Sequence, residues 1–366
     1  MTPEQSGGSI KIVPGRARNG DAFFSVLAKR SYAIRPGRPA DRREQDAPLR
    51  LVDSYYDGGD PDWSVVEHES ETAPLKAATD VVVIGQAHAP SGRATAQMVV
   101  GVKLGEHKKV LQVTGDRRCQ WRDSAAPVFS DPEPFTTMPI RYDRAYGGRD
   151  EASDPNLPFF YPRNDKGRGV ALRNVKPAVQ DLSLPNVEDP GDLLTPERVV
   201  IEDPRRWPDQ PLPQGFGWRQ RTWYPRCALL GAWPPFLDAG TVTAEERMGL
   251  LPSNHVALAK QMRLPPYLER FANGASLGLV IDDVAGNEPV ALRGLTPDGA
   301  LDFQLPGDVP AMTLDLGKGE CPLKAKIHTI SIRPDEMALD IVWHGALPFG
   351  PYAKLGLLTR LEAHVT

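Results

Sequence analysis

The apolar residues of this chain recur mostly at every second position, in short segments that end at proline or glycine. Between residues 20 and 34, one parity carries Phe24, Val26, Ala28, Tyr32 and Ile34. Because the side chains of a strand alternate between its two faces, this pattern predicts a half-buried strand, ended by Pro36 and Gly37. The continuous apolar run Val81 to Ile84 predicts a further strand that is covered on both faces.

Turn residues between such segments predict β-hairpins. Residues 98–104 and 109–114 flank a connection from Gly105 to Lys108 and are predicted to form one. Residues 277–284 and 288–295 are predicted strands on either side of a turn at Gly286-Asn287. Residues 300–305 follow the turn signature Pro-Asp-Gly at 297–299. The clearest hairpin joins IHTISI (327–332) to MALDIVWHG (337–345). Helix signals, a capping box at Thr243 and Glu246 and the segment YLERFANG, fall between residues 243 and 273.

The loops are unusually rich in turn residues, with 37 prolines and 33 glycines among 366 residues. Proline fixes φ and removes a backbone donor, so this density limits the elements to short strands and brief helices. We therefore predict a mainly β fold: antiparallel β-sandwich-like domains with long ordered Pro/Gly-rich loops and a few short helices. Three regions are expected, an N-terminal antiparallel β domain (1–119), a loop-rich central region packed on it (120–240) and a C-terminal β-rich region with short helices (241–366).

Charge and composition narrow the class of partner. The chain has 43 Lys and Arg against 47 Asp and Glu, a net charge of -4, so it lacks the positive excess that gathers phosphates and nucleic acid is not expected. No apolar run approaches the length of a membrane span, and the first residues lack the layout of a secretory signal. We expect a cytoplasmic protein without membrane insertion. Cys119, Cys227 and Cys321 are too widely spaced for a disulfide framework or a zinc site, and are expected to be buried small residues.

One motif has the form that surrounds a catalytic serine. Residues 274–278, GASLG, are a G-x-S-x-G, and Asp282, Asp302 and His328 follow in the chain order of an α/β-hydrolase triad. That motif requires a strand, a turn and then a helix, whereas here a helix-like segment precedes Ser276 and a strand-like segment follows it. The pattern favours a helix end that leads into a strand. A serine hydrolase using Ser276 with His328 stays an alternative.

Metal and cofactor sites are not predicted. The seven histidines never recur at the spacing that puts two imidazoles on one ion. An acidic run lacks the ligand pattern of a calcium loop, so it is predicted to be a solvated surface; its members are Asp57, Asp60, Asp62, Glu67, Glu69 and Glu71. The sequences GRG (167–169) and GFG (215–217) lack the third glycine of a dinucleotide site. We expect no cofactor, no metal and no catalytic residue.

The central region carries glycine-rich polar motifs that suit tight turns, because glycine allows positive φ and Asn or Asp bonds to nearby backbone amides. They are GDR (115–117), MPIRYDRAYGG (138–148), NDKGRG (164–169) and LPNVEDP (184–190). Two further blocks follow, GNEPVALRGLTPDGALDFQLPG (286–307) and RPDEMALDIVWHG (333–345). This ordered series resembles the bacterial domain-of-unknown-function family 2169, over nearly the whole chain. The sequence departs from the family where Asp165-Lys166 stands in place of Pro-x, and in the divergent stretch 225–275.

The resemblance implies a function without a reaction. Members of that family are encoded among type VI secretion genes and are regarded as adaptors or chaperones that load effectors onto the spike. It therefore implies an effector, or its PAAR-linked segment, as partner, with VgrG and PAAR spike proteins as further partners. The family's characteristic positions fall here on Asp116, Arg117, Arg144, Tyr146, Gly147, Gly148, Asn164, Gly167, Gly169, Pro185, Asn186 and Trp343. The resemblance leaves open whether these residues fix the fold or contact the partner.

Aromatic residues of the central region are candidate anchors for a partner, since such residues dominate interface energetics. They are Trp207, Trp218, Trp223, Trp233 and Phe236. Packing of the loops is the alternative use of each. The same aromatic side chains leave a carbohydrate-binding module as another alternative.

Overall fold

The computed structural model describes residues 8–16, 22–123, 125–227, 271–317, 319–348 and 361–366. Its strands, numbered in chain order, are β1 (Ile10–Arg16), β2 (Ala22–Ala33), β3 (Asp41–Arg42), β4 (Ser54–Tyr55), β5 (Val66–His68), β6 (Thr79–Val83), β7 (Gln86–His88), β8 (Gln97–Leu104), β9 (His107–Thr114), β10 (Cys119–Gln120), β11 (Val128–Phe129), β12 (Thr137–Pro139), β13 (Tyr146–Gly147), β14 (Arg149–Asp150), β15 (Phe159–Phe160), β16 (Arg168–Gly169), β17 (Val187–Glu188), β18 (Val280–Ile281), β19 (Pro289–Arg293), β20 (Ala300–Gln304), β21 (Met312–Asp315), β22 (Glu320–Leu323), β23 (Lys326–Arg333), β24 (Ala338–Pro348) and β25 (Glu362–Val365).

Helical structure in these residues is short. The α-helical turn that lies wholly in these residues, α1, spans Lys176–Val179. Short 3-10 segments of three to six residues span Tyr56–Gly58, Pro90–Gly92, Tyr142–Arg144, Pro196–Arg198, Pro204–Asp209 and Pro334–Glu336. Most of them begin at proline, whose fixed φ suits the first helical position. The predicted helix signals between 243 and 273 lie almost wholly outside the described residues. No helix in the described ranges has the length and apolar character needed to cross a bilayer.

The largest sheet runs in the order β1, β2, β24, β23, β6, β18, with β3 also paired to β2. Its pairs are antiparallel except for β6 with β23, which are parallel. The centre is the long pair β2 and β24, in register from Phe23 opposite Pro348 to Ala33 opposite Ala338. One face of β2 enters the main core through residues such as Val26, and the other meets Leu49 through Leu27. The strand is therefore covered on both sides, rather than half-buried as its alternation predicted.

A second, five-stranded sheet runs in the order β17, β9, β8, β19, β20. Val100 and Leu292 of this sheet share one apolar core with Val81 and Ile330 of the first sheet. The mainly β prediction is thus confirmed. Both sheets take strands from the first and the third predicted regions, and the division into three regions stays a prediction.

Both predicted hairpins are confirmed. β23 and β24 form the hairpin predicted at 327–345, and β8 and β9 form the one predicted at 98–114. In the second, Leu104 lies opposite His107, so the turn is Gly105-Glu106 rather than four residues. The predicted strands at 277–284 and 288–295 do not pair with each other: β18 pairs with β6, while β19 pairs with β8 and β20. Local alternation does not fix which strand a segment joins.

The central region has little regular structure, as predicted: between β10 and residue 227 the described strands are two or three residues long. Its loops nevertheless enclose a second apolar core that includes Tyr146, Tyr161 and Trp207. The expectation for the cysteines holds for Cys119, which is buried, whereas Cys227 and Cys321 are half-buried. The loops are therefore packed around their own aromatic side chains.

Candidate functional site

Eleven of the twelve family positions come together in the central loops, and the twelfth, Trp343, lies apart in β24. Trp343 is buried in the main core. The others lie on short strands and turns around β13, β16 and β17. In this region β13 pairs with β16, and β17 pairs with β9. The sequence motifs therefore mark one region of the fold, even though up to seventy residues separate them in the chain.

Asn186 is the centre of a polar network, here called the Asn186 network, formed with Asp116, Arg144 and Arg168. The buried Asn186 Oδ1 accepts hydrogen bonds from Arg144 Nη1 (3.1 Å) and Arg168 Nη1 (3.2 Å). Its Nδ2 donates to Asp116 Oδ1 (3.0 Å) and to the Thr114 carbonyl (3.0 Å). All the hydrogen-bonding capacity of this amide is thus used. Burial, and the neighbouring Arg144, lower the pKa of Arg168.

Asn164 closes a second junction in the same loops. It is fully buried, and its Nδ2 donates to the carbonyls of Tyr142 (2.7 Å) and Tyr146 (3.1 Å). Gly147 beside it has a φ of 142°, and a Cβ there would overlap the Asn164 carbonyl oxygen. Only glycine fits this close approach of two backbones.

Arg117 ties the end of β9 to β17. Its Nη2 donates to the Pro185 carbonyl (2.9 Å) and to Glu188 Oε2 (2.8 Å), while Glu188 Oε1 accepts from the Leu194 amide. Burial raises the pKa of Glu188, although Arg117 acts in the opposite direction. The polar groups of the family motifs are thus directed at one another and at the backbone. Their chemistry here is to hold long loops in one shape.

The three predicted aromatic anchors that the structure describes are buried and do not form a surface. Trp207, Trp218 and Trp223 are 6%, 3% and 3% exposed. Trp207 packs edge-on against Tyr224, and Trp223 packs edge-on against Tyr142. Trp207 belongs to the second core, Trp218 to the main core and Trp223 to a smaller cluster with Tyr142, so all three pack the interior. Trp233 and Phe236 lie outside the described residues.

Two other aromatic residues are exposed, Trp63 at 66% and Phe160 at 45%. The guanidinium of Arg149 lies between them, with its central carbon 4.2 Å from the Trp63 ring centre and 5.1 Å from that of Phe160. Asp165 Oδ2 accepts from Arg149 Nη2 at 2.7 Å, and the Asp62 carbonyl accepts from the same nitrogen at 2.5 Å. We call Trp63, Arg149 and Phe160 the Trp63 surface. It is an aromatic surface held by the half-buried ion pair of Arg149 with Asp165.

A cleft of about 470 Å³ adjoins the Trp63 surface. Its walls include Trp63, Arg149, Asp165, Asp53 and Arg221. Arg221 pairs with Asp53 at 2.6 Å, whereas Asp62, which also lines the cleft, has no ion-pair partner among the described residues.

The acidic run before β6 is divided between surface and interior. Asp57, Asp60 and Asp62 are exposed, as predicted, but Glu69 and Glu71 are buried. Glu69 pairs with Arg226 and Arg221, and Glu71 pairs with Lys29 (2.8 Å) and Arg50 (3.2 Å). The prediction of a solvated surface is therefore wrong for these two, because buried cations compensate them. In the described ranges, no group of three or more His, Cys, Asp or Glu side chains is placed to hold a metal ion.

Ser276 and His328 have separate hydrogen-bond partners. The His328 ring nitrogens bond to Thr329 Oγ1 (2.9 Å) and the Ala73 carbonyl (3.0 Å), and burial lowers the pKa of the ring. Ser276 Oγ instead accepts from Lys109 Nζ (2.6 Å) and from the Tyr142 hydroxyl (3.0 Å). The base nearest this serine is therefore a lysine that the sequence patterns did not single out.

The sequence patterns also did not indicate Trp63 and Phe160 as candidate site residues. A signal for Trp63 exists: it stands in GGDPDWS (58–64), where turn residues surround it and no apolar position lies within two residues on its amino-terminal side. A tryptophan in such a turn has little chance of joining a strand core. The stack with Arg149 carries no such signal, because it joins residues eighty-six positions apart.

The structure thus defines a mainly β protein whose long loops are locked by a polar network and carry an exposed aromatic surface. The chain belongs to the family described as uncharacterized protein conserved in bacteria (DUF2169), whose model matches residues 19–344. The family resemblance noted from the motifs is therefore confirmed. No curated protein and no solved structure matches the chain.

Proposed function

We propose that this protein is a non-enzymatic adaptor or chaperone of a type VI secretion system. It binds an effector, or the PAAR-linked segment of one, in the cytoplasm and assists its loading onto the VgrG spike. The resemblance of the motifs supplies the biological setting of this proposal. The structural observation that supports it is the Trp63 surface, an exposed aromatic surface carried by firmly held loops.

Trp63 and Arg149 are of the residue types that contribute most to binding at protein interfaces. Trp and Arg are enriched among the residues that carry most of the energy of protein interfaces. An aromatic side chain held in place before binding loses little conformational entropy when a partner covers it. Arg149 holds this geometry through its bond to Asp165 (2.7 Å). A specific complex should remove about 1,200 Å² or more of total surface from water, so it must extend beyond these three residues.

Coexpression tests this function directly. The full chain is produced with the effector encoded beside its gene, and copurification, effector solubility and effector secretion are measured with and without it. We expect a stable complex and a loss of secreted effector when the chain is deleted. If the effector is equally soluble and equally secreted without this protein, the adaptor function is wrong.

A second candidate is a serine hydrolase in which Lys109, rather than His328, is the base for Ser276. The 2.6 Å contact between Lys109 Nζ and Ser276 Oγ supports it, as serine–lysine pairs occur among activated nucleophiles. Ser276 is fully buried, so the loops would have to open to admit a substrate. A fluorophosphonate probe that leaves Ser276 unlabelled, with Ser276→Ala as the blank, excludes this function. Titration with cell-wall fragments tests the carbohydrate-binding alternative.

A further inference from the structure

We propose that the Trp63 surface binds a segment of the partner polypeptide that places a basic side chain beside an apolar one. This inference rests on the adaptor function and specifies the chemistry of what the adaptor binds.

Apolar exposure is concentrated at this surface. The described residues leave nine large hydrophobic side chains exposed, and three of them are Trp63, Phe160 and Leu157, the last at 74%. Leu157 and Phe160 belong to the same hairpin, in which β14 pairs with β15 and Arg149 lies opposite Phe160. Exposed apolar residues scattered singly need no explanation, whereas exposed apolar residues that are grouped mark an interaction site. Here the two rings that contact Arg149 form the group, with Leu157 in the same hairpin as Phe160.

The surface is ordered before any partner arrives. The Trp63 amide donates to the Asp60 carbonyl at 3.0 Å, and the Asp62 amide donates to Asp60 Oδ1 at 2.8 Å, which closes the turn that carries the indole. On the other side, Arg149 is held by Asp165. A partner therefore meets a preformed platform, and the ordering cost of binding falls mainly on the partner.

The charges of this region are arranged with cations turned inward. The side chains of Arg149 and Lys166 are 18% and 7% exposed, and both lie against Asp165. Arg141 is 21% exposed and bonds to Asp143 and Asp57. The exposed cation near the hairpin loop, Arg173, is itself close to Asp154 (3.8 Å).

Carboxylates are turned outward in the same region. Asp60 and Asp62, on either side of Pro61 and directly before Trp63, are exposed, as is Glu151 after β14. None of these three forms an ion pair within the described part of the chain. The field at the surface is therefore negative, and it favours a positively charged segment over an acidic one.

The indole completes the complementarity. Arg149 lies over one side of the Trp63 ring, and the residue as a whole is still 66% exposed. A lysine or arginine of the partner can stack on the uncovered side within reach of Asp60 or Asp62, while its apolar neighbour packs against Phe160.

The experiment measures binding of the full chain to the effector encoded beside its gene, by calorimetry or by surface-immobilised titration. The variants are Trp63→Ala, which removes the platform, and Asp60→Asn with Asp62→Asn, which removes charge but keeps the turn's acceptor. The matched controls are Val309→Ala, an exposed apolar residue elsewhere (56% exposed), and Asp282→Asn with Asp283→Asn, an exposed acidic pair elsewhere. Circular dichroism checks that each variant is folded.

We expect Trp63→Ala to weaken binding about 30-fold or more. The double Asn variant should weaken it several-fold and reduce the loss of affinity that wild type shows between about 0.05 M and about 0.5 M salt. If wild type binds and Trp63→Ala binds as well as Val309→Ala, this inference is wrong and the adaptor function stands. If wild type does not bind the effector at all, both are wrong.

Three other ligands of the Trp63 surface would give distinct results, and each of these results would overturn the inference. Tighter binding by the double Asn variant would show that the bound segment is acidic. Self-association that Trp63→Ala abolishes would assign the surface to a second copy of the chain. Binding of muropeptides that the same variant abolishes would assign it to carbohydrate.

Discussion

The side-chain nitrogen of Lys109 lies 2.6 Å from the hydroxyl oxygen of the buried Ser276. Lys109 also donates to the Leu277 carbonyl, and the Tyr142 hydroxyl donates to Ser276. Burial, with the nearby Arg219, lowers the pKa of Lys109 to about 7.

The lowered pKa of Lys109 predicts that part of the pH dependence of the free energy of unfolding is lost in Lys109→Met. Below pH 7 the lysine is protonated in both the folded and the unfolded chain, so the cost of burying its charge is fully present. Between about 7 and the unfolded value of 10.5, the folded chain has released the proton and the unfolded chain keeps it. Unfolding then binds a proton, and the free energy of unfolding rises with pH, by up to a few kcal/mol.

Urea unfolding at several pH values across that interval measures the effect. We expect the rise to be smaller in Lys109→Met than in wild type. Lys108→Met, an exposed lysine one position earlier in β9, is the control and should keep the wild-type slope. Equal slopes in all three proteins would show that Lys109 is charged in the folded chain at neutral pH.

The close approach at Gly147 gives a second prediction. A Cβ at this position would overlap the Asn164 carbonyl oxygen, and the substituted residue would also have to adopt a φ of 142°. We expect Gly147→Ala to lower the free energy of unfolding by about 3 kcal/mol or more, since backbone has to move. Gly37→Ala is the control: its φ is 75°, but nothing lies within 4 Å of the added carbon, so it should cost only about 1–2 kcal/mol. A Gly147→Ala loss no larger than that of Gly37→Ala would contradict the geometry.

Buried Cys119 should resist alkylation in the folded protein. Burial raises the pKa of its thiol to about 11, so little reactive thiolate exists at neutral or mildly alkaline pH. We expect Cys119 to react with iodoacetamide only after unfolding, and half-buried Cys321 to react sooner. Mass spectrometry of labelled peptides from native and urea-treated protein distinguishes the two sites. Rapid native labelling of Cys119 would mean that the loop core opens frequently.

The local features of the fold could be predicted from the sequence. Alternation in MALDIVWHG and the turn before it define the β23–β24 hairpin, because its strands are neighbours in the chain. The parallel pair of β6 with β23 could not be predicted in this way, since the two segments are about 250 residues apart and either could pair elsewhere. Periodicity shows which face of a strand is buried, not which strand lies beside it.

The candidate site divides in the same way. The glycine and Asn motifs marked the loop core, because positive φ and turn hydrogen bonds leave a signature at single positions. The exposure of an aromatic residue leaves no comparable signature in the sequence. The sequence therefore predicted Trp207 as an anchor and did not indicate Trp63. Exposure depends on what the rest of the chain places over a residue. The partners of Ser276 were missed for the same reason, with Lys109 lying 167 positions away.

Comparing Asn186→Ala with Trp63→Ala distinguishes residues that hold the loops from residues that bind the partner. Asn186→Ala removes the shared acceptor of Arg144 and Arg168 and the donor to the Thr114 carbonyl, so buried polar groups lose their partners. We expect the free energy of unfolding to fall by about 3 kcal/mol, measured by urea titration, while Asn156→Ala, at an exposed position, changes it little. Trp63→Ala should show the reverse behaviour, with stability unchanged and binding lost, because its side chain is mostly exposed. If Asn186→Ala were as stable as wild type but failed to bind the effector, the family motif would be a contact surface rather than the support beneath one.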